Sequence, residues 1–298
     1  MAHYTYECNS FFFCIGVNSF AMAKRNILLQ SITAGMLVVI CVFFFWYIVP
    51  ESLFLKEQVP QFSNTINNFL SYLDKPAWLV CYVGNLFTHL FIPLGGGPIL
   101  IAMAIMLEWW LLVLILKRFN IGEMAFLYAL FPIMLEWGCY CNEKYLLLSI
   151  FSFTLSLAIF LLYTYINNSK WSIFWGLMFL PLIYFLAGNR LTIYLVMILL
   201  YEANKDEKRW LFWLILLVIG GVFPNLMRYV YGISQEQAYL YPNTNVMSFF
   251  PAMLFCASLF VLQTKTLRRV QVSVCSVSVT TMALLAVLGI SVSLCASF

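Results

Sequence analysis

Long apolar blocks separated by short polar segments make up most of the chain, and each is about twenty residues long, the length that crosses a bilayer as a helix. The blocks lack the strict alternation of a membrane β-barrel. The pattern therefore predicts an all-α, polytopic helical membrane protein. The predicted spans are 27–49, 97–116, 122–140, 145–165, 171–187, 191–203, 210–227, 246–263 and 274–297.

The segment 76–96 is apolar but contains Asn85 and His89 and ends in a Gly-Gly-Gly-Pro run. If this segment crosses the membrane, Lys117 and Arg118 lie on the outer side of the membrane, and every later basic loop changes sides as well. If it is re-entrant or interfacial, most basic clusters lie on one side, which the positive-inside rule assigns to the cytoplasm. We therefore predict about nine transmembrane helices and a non-crossing 76–96. Ten crossings with a weaker charge bias are the alternative.

The chain is predicted to have one membrane domain, 27–298, preceded by a cytoplasmic N-terminal tail, 1–26. Within 51–75, apolar residues recur at helical spacing with asparagines on the other face. This pattern predicts an external amphipathic helix on the outer leaflet. We expect a multipass protein of the cell inner (cytoplasmic) membrane with its N-terminus in the cytoplasm.

Composition narrows the function classes. Of 298 residues, 63% are hydrophobic and only 9% are charged, about a third of the charged fraction of soluble domains. The short loops exclude a large soluble catalytic domain. The net charge of +4 is spread over these loops, so no nucleic-acid partner is expected. Walker, dinucleotide, metalloprotease and serine-elbow motifs are missing from the sequence, and no cofactor is expected.

Cysteine and histidine usage predicts no metal site. Most of the nine cysteines lie within apolar runs, where cysteine is a small hydrophobic residue. Cys139 and Cys141 are closer together than zinc ligands usually are. The only histidines are His3 and His89.

Two glutamates inside apolar runs are the first candidate site residues. Glu108 and Glu136 lie in identical Ile-Met-Leu-Glu-Trp sequences at 105–109 and 133–137, a repeat that arises from duplication or by chance. A charge in the bilayer costs at least a few kcal/mol. Glu108, in mid-span, must therefore be protonated, be paired, or face an internal cavity.

Arg190, Arg228 and Asp74 are further substrate-binding candidates. Arg190 follows Gly-Asn in a tight predicted turn between two spans. One interpretation is that its guanidinium, near the headgroups, binds a phosphate group through two hydrogen bonds. The alternative is that the side chain only extends to the membrane interface. If Arg190, Arg228, Glu136 and Asp74 converge at the outer leaflet, they form a pocket for a lipid-linked anionic substrate.

Asn85 and His89 share a helical face because they are four residues apart. Polar residues in such a Gly- and Pro-bounded segment line cavities in transporters. The alternative is that they join neighbouring helices by hydrogen bonds.

The sequence also resembles a known family. The residues that carry the resemblance are the stretch 69–82, Phe87, Pro93, the glycines at 95–97, Leu186-Ala-Gly and Leu199-Leu-Tyr-Glu202. In these the chain is similar to an uncharacterised multipass inner-membrane family of Bacteroidota, a domain of unknown function. The resemblance covers most of 27–263 and implies no catalytic residues. Members continue into a further C-terminal region, whereas this chain departs from the pattern after residue 270.

Three hypotheses remain for the function. The first is an envelope enzyme or binding protein for a lipid-linked or anionic substrate at the outer leaflet, with catalytic residues unassigned. The second is a transporter or channel-like protein that uses Glu108 and His89. The third is a structural subunit that needs a protein partner. In each case membrane lipids surround the protein.

Overall fold

The computed structural model describes residues 27–48, 62, 65–91, 96–121, 125–142, 145–203, 209–242 and 246–263. Helices and short turns make up these ranges, and no β-strand occurs within them. The predicted all-α fold is confirmed. The predicted tail 1–26, most of 51–64 and the predicted span 274–297 lie outside the described residues.

The helices follow the predicted apolar blocks, and we number them in chain order. They are α1 (Ile27–Ile48), α2 (Ile66–Leu73), α3 (Trp78–His89), α4 (Gly97–Arg118), α5 (Ala125–Tyr140), α6 (Leu147–Thr164), α7 (Ser169–Ala187), α8 (Leu191–Ala203), α9 (Trp210–Tyr231), α10 (Gln235–Leu240) and α11 (Phe250–Gln263).

Five helical segments of the described chain are long and apolar enough to cross a membrane. They are α1, α4, α6, α9 and the segment Ser169–Ala203, which contains α7 and α8. Two shorter apolar helices are α5 and Phe250–Val261. Many apolar side chains of α1 and α9 are exposed, including Val39 and Leu214. Such surfaces are stable in lipid, and the protein is a helical membrane protein. The number of spans stays a prediction.

A sharp turn divides Ser169–Ala203 into the antiparallel pair α7 and α8. Gly188 has a φ of +70°, a left-handed conformation that glycine adopts without steric strain. A Cβ atom at Gly188 would also overlap the carbonyl oxygen of Tyr241. The 3-10 turn Gly188–Arg190 then leads into α8.

Side-chain contacts define two ends of the helix bundle. At one end, the Arg118 guanidinium lies 3.9 Å from the centre of the Tyr165 ring, and Arg209 Nη1 donates to the Ser169 carbonyl oxygen over 3.5 Å. We call this the Arg118 end. The other end contains Leu147 and the turn with Arg190, and we call it the Arg190 end.

Helix α3 begins and ends at the Arg190 end. The Ala77 backbone N–H bonds to the Tyr184 carbonyl oxygen over 3.3 Å, and a Cβ atom added at Gly84 would lie 2.7 Å from Leu148 Cβ. After the helix, the Phe91 ring packs against Gly97 at the start of α4. With 12 residues, α3 is about 18 Å long, shorter than the roughly 30 Å hydrocarbon layer. These contacts agree with the non-crossing interpretation of 76–96, which stays a prediction.

Candidate functional site

Five buried polar side chains meet near the Arg190 end, and we call them the Arg190 cluster. They are Glu108 of α4, Glu136 of α5, Tyr145 just before α6, Ser152 of α6 and Arg190 of the turn. Each is at most 1% exposed. Four separate parts of the chain therefore place ionisable groups inside the helix bundle.

Arg190 is the cation of the cluster. Its Nε–H donates to Ser152 Oγ over 3.0 Å, and its guanidinium carbon lies 5.0 Å from the centre of the Phe249 ring. Its Nη1 has no hydrogen-bond partner among the described residues. A buried guanidinium normally has its N–H groups paired, so Arg190 retains donor capacity for another group.

Glu108 lies midway along α4 and is fully buried. Within the described part of the chain, neither of its carboxyl oxygens has a hydrogen-bond partner. The carboxyl group interacts electrostatically with Glu136 and Arg190 but does not hydrogen-bond to either. The helix position alone predicted the burial of a carboxyl group, and the structure adds its charged neighbours.

Glu136 has the hydrogen bond that Glu108 lacks. The Tyr145 hydroxyl donates a hydrogen bond to Glu136 Oε1. A tyrosine hydroxyl is protonated at neutral pH, so Tyr145 remains a donor to Glu136. Glu136 also interacts favourably with the Arg190 charge. A donated hydrogen bond and a nearby cation both stabilise a carboxylate.

The other predicted site residues lie outside the Arg190 cluster. Arg228 bonds to Gln235 Oε1 over 3.4 Å and to the Tyr229 hydroxyl over 3.0 Å. Asp74 is exposed at the end of α2. Among the described contacts, neither Arg228 nor Asp74 joins Arg190, whereas Glu136 and Glu108 both interact electrostatically with it.

Asn85 and His89 stabilise the α2–α3 hairpin. Asn85 Nδ2 donates to the Tyr72 hydroxyl over 2.9 Å, which joins α3 to α2. His89 is exposed, and its ring centre lies 5.9 Å from that of Phe62. These contacts correspond to the hydrogen-bonding alternative for Asn85, and the described structure does not place His89 on a path through the bundle.

A short segment, 234–242, covers the turn that carries Arg190, and we call it the strap. The Asn189 backbone N–H donates to the Tyr241 carbonyl oxygen over 2.9 Å, and Asn189 Nδ2 donates to the Leu240 carbonyl oxygen over 2.7 Å. The Tyr184 hydroxyl donates to the Ala238 carbonyl oxygen over 3.1 Å. A ligand approaching Arg190 from this end meets the strap first.

A second buried polar group lies at the Arg118 end and was missed as a site in the sequence. The Tyr163 hydroxyl donates to Glu202 Oε1 over 2.8 Å and hydrogen-bonds to Ser172 Oγ over 2.8 Å. Glu202 Oε2 lies 3.5 Å from Arg209 Nη1. An acid at the end of the apolar run 191–203 was the available signal. Tyr145 and Ser152 were also missed, because tyrosine and serine are ordinary residues at such positions.

The fold and the Arg190 cluster define a polytopic α-helical membrane protein with a buried charged site. No group of three or more His, Cys, Asp or Glu side chains suited to a metal ion occurs within the described ranges. Residues 24–294 match the model of a family described as a family of unknown function (DUF6057), and the chain belongs to this family. Comparison with curated proteins and with solved structures gives no match. The resemblance to a domain of unknown function is confirmed, and a Bacteroidota origin stays a prediction. The expected departure from the family pattern after residue 270 is wrong, because the match continues to residue 294.

Proposed function

We propose that this is an inner-membrane protein that binds an anionic substrate, free or lipid-linked, at Arg190. The observation that carries the proposal is the burial of Arg190, 1% exposed, with Nη1 unpartnered among the described residues. An ionised side chain buried inside a membrane protein is costly and is retained where it has a function. The planar guanidinium is suited to a carboxylate or a phosphate, whose oxygens it bonds in pairs.

We further propose that the substrate reaches Arg190 from the outer leaflet. Lys117, Arg118, Lys170 and Arg209 all lie at or next to the Arg118 end. The positive-inside rule then favours the cytoplasm for that end and the outer leaflet for the Arg190 end. The strap and the α2–α3 hairpin, which are at the Arg190 end, would face the headgroup region.

A transporter is the second candidate, and Glu108 favours it. Both carboxyl oxygens of this buried residue are unpartnered within the described chain, and intramembrane carboxyl groups are typical of proton and ion pathways. A transporter would also bind its substrate before moving it. A measurement of anion binding therefore tests both candidate functions.

The test is anion binding by the protein purified in a neutral detergent. Thermal unfolding is measured with sulfate, with acetate and with a polyprenyl phosphate. A ligand that binds only the folded state raises the unfolding midpoint. Stabilisation by sulfate or acetate indicates a free anion, and stabilisation by the polyprenyl phosphate alone indicates a lipid-linked one.

Arg190→Gln is expected to weaken binding about ten- to a hundredfold, because a hydrogen bond to a charged group contributes about 1.5–3 kcal/mol. Arg190→Lys keeps the charge but loses the paired geometry, so its affinity should be intermediate. Arg228→Gln is the matched control and should bind as the wild type does. Equal binding by Arg190→Gln and the wild type would contradict the proposal. If no anion stabilises the wild type, the structural-subunit hypothesis becomes the better one.

A further inference from the structure

The Arg190 cluster contains one cation and two carboxyl groups. Among the described residues, the titratable groups that interact with Glu136 are Glu108 on α4, Tyr145 before α6, Arg190 on the turn and Cys139 on α5 itself. Helices α1 (27–48) and α11 (250–263) also pack near α5 and contain no charged residue. Within the described part of the chain, an added charge must therefore be balanced by groups of the cluster.

Of the two carboxyl groups, Glu136 is the better placed to balance the Arg190 charge before an anion binds. It accepts the Tyr145 hydrogen bond and is attracted by the guanidinium. Glu108 has no hydrogen bond with the described residues, so a negative charge is less stable on Glu108 than on Glu136. The pair Arg190 and Glu136 is then close to neutral.

An incoming anion would replace Glu136 as the counter-charge of Arg190. Two negative groups would then share one cation in a site at most 1% exposed, and an uncompensated buried charge is strongly unfavourable. For a monovalent anion, one proton from the buffered solvent, added to the Glu136 carboxylate, restores the balance without any change in oxidation state. The Tyr145 hydroxyl can keep its bond to the neutral acid, because it both donates and accepts.

We infer that an anion binds to Arg190 together with one proton, which Glu136 takes up. This inference rests on the proposed function and adds the proton as a second ligand of the same site. Affinity for the anion then falls as pH rises, by about tenfold per pH unit over the range where Glu136 is ionised before binding.

The experiment counts protons during anion binding. Acetate, a monovalent anion, is titrated by calorimetry into the protein in neutral detergent, in buffers of different ionisation enthalpy, from about pH 6 to pH 8.5, where acetate does not change its own charge. Where Glu136 is ionised before binding, toward the upper end of this range, we expect uptake of about one proton per bound anion, and less uptake toward pH 6. Glu136→Gln has the shape and neutrality of the protonated acid, so it should bind the anion with no proton uptake and no pH dependence.

Glu202→Gln is the matched control, because Glu202 also accepts a tyrosine hydrogen bond but lies at the Arg118 end. It should still take up about one proton with the anion. Anion binding by the wild type without proton uptake would overturn the inference, and this measurement needs no variant to fold. Unchanged uptake in Glu136→Gln would overturn it as well. The proposed function fails by a different result, the lack of any anion binding by the wild type at every pH tested.

Discussion

The strap over Arg190 is held in part by the Asn189 side chain, so Asn189→Ala should open it more often. The variant loses the 2.7 Å hydrogen bond to the Leu240 carbonyl oxygen but keeps the backbone bond to Tyr241. A typical hydrogen bond contributes about 1 kcal/mol to stability. The open state of the strap should therefore become about fivefold more populated.

Cys81 reports on this opening. Its thiol is buried and lies 3.9 Å from the Tyr241 hydroxyl of the strap. Burial raises the pKa of the Cys81 thiol to about 11, so the closed state reacts slowly with maleimides. When the strap opens, the thiol gains access to water. Labelling of Cys81, followed by mass spectrometry, should be about fivefold faster in Asn189→Ala than in the wild type.

Two controls separate strap opening from general loosening. Cys256 is equally buried, on α11, and its labelling rate should not change. Asn168→Ala removes an asparagine whose side chain accepts from the Lys170 backbone N–H at the start of α7, far along the helix from Asn189, and should leave Cys81 protected. If Cys81 reacts at the wild-type rate in Asn189→Ala, or if Cys256 accelerates equally, the strap does not control access to this end.

Two further predictions concern packing and the second polar group. Gly84→Ala places a Cβ atom against the α6 backbone, and such overpacking costs about 1–3 kcal/mol. The unfolding midpoint of this variant should therefore fall. Gly221→Ala, which has open space around the added Cβ atom, should not lose stability. Tyr163→Phe removes the hydrogen bond to Glu202 and should destabilise by about 1–3 kcal/mol. In contrast, Tyr165→Phe at an exposed position should be nearly neutral. If Gly84→Ala and Gly221→Ala unfold at the same midpoint, the close packing of Gly84 on α6 is contradicted. If Tyr163→Phe and Tyr165→Phe unfold at the same midpoint, the stabilising hydrogen bond from Tyr163 to Glu202 is contradicted.

The helical elements were predictable because an apolar block about twenty residues long has few other stable forms in a membrane. The predicted run 97–116 corresponds to α4, and 171–187 to α7. Glu108 and Glu136 could also be singled out, since a carboxyl group is conspicuous in such a run. Tyr145 and Ser152 could not, because only their position next to Glu136 and Arg190 distinguishes them.

By itself, the sequence determined the class of protein, the approximate helix boundaries and the charges that need an explanation. The tertiary structure alone decided which of those charges meet. Arg190 and Arg228 have the same sequence signal, yet one is buried with Glu108 and Glu136 and the other bonds to Gln235 and Tyr229. Periodicity and composition report on one helix at a time. A charged cluster formed from four parts of the chain depends on how the helices pack, and therefore on contacts between residues far apart in sequence.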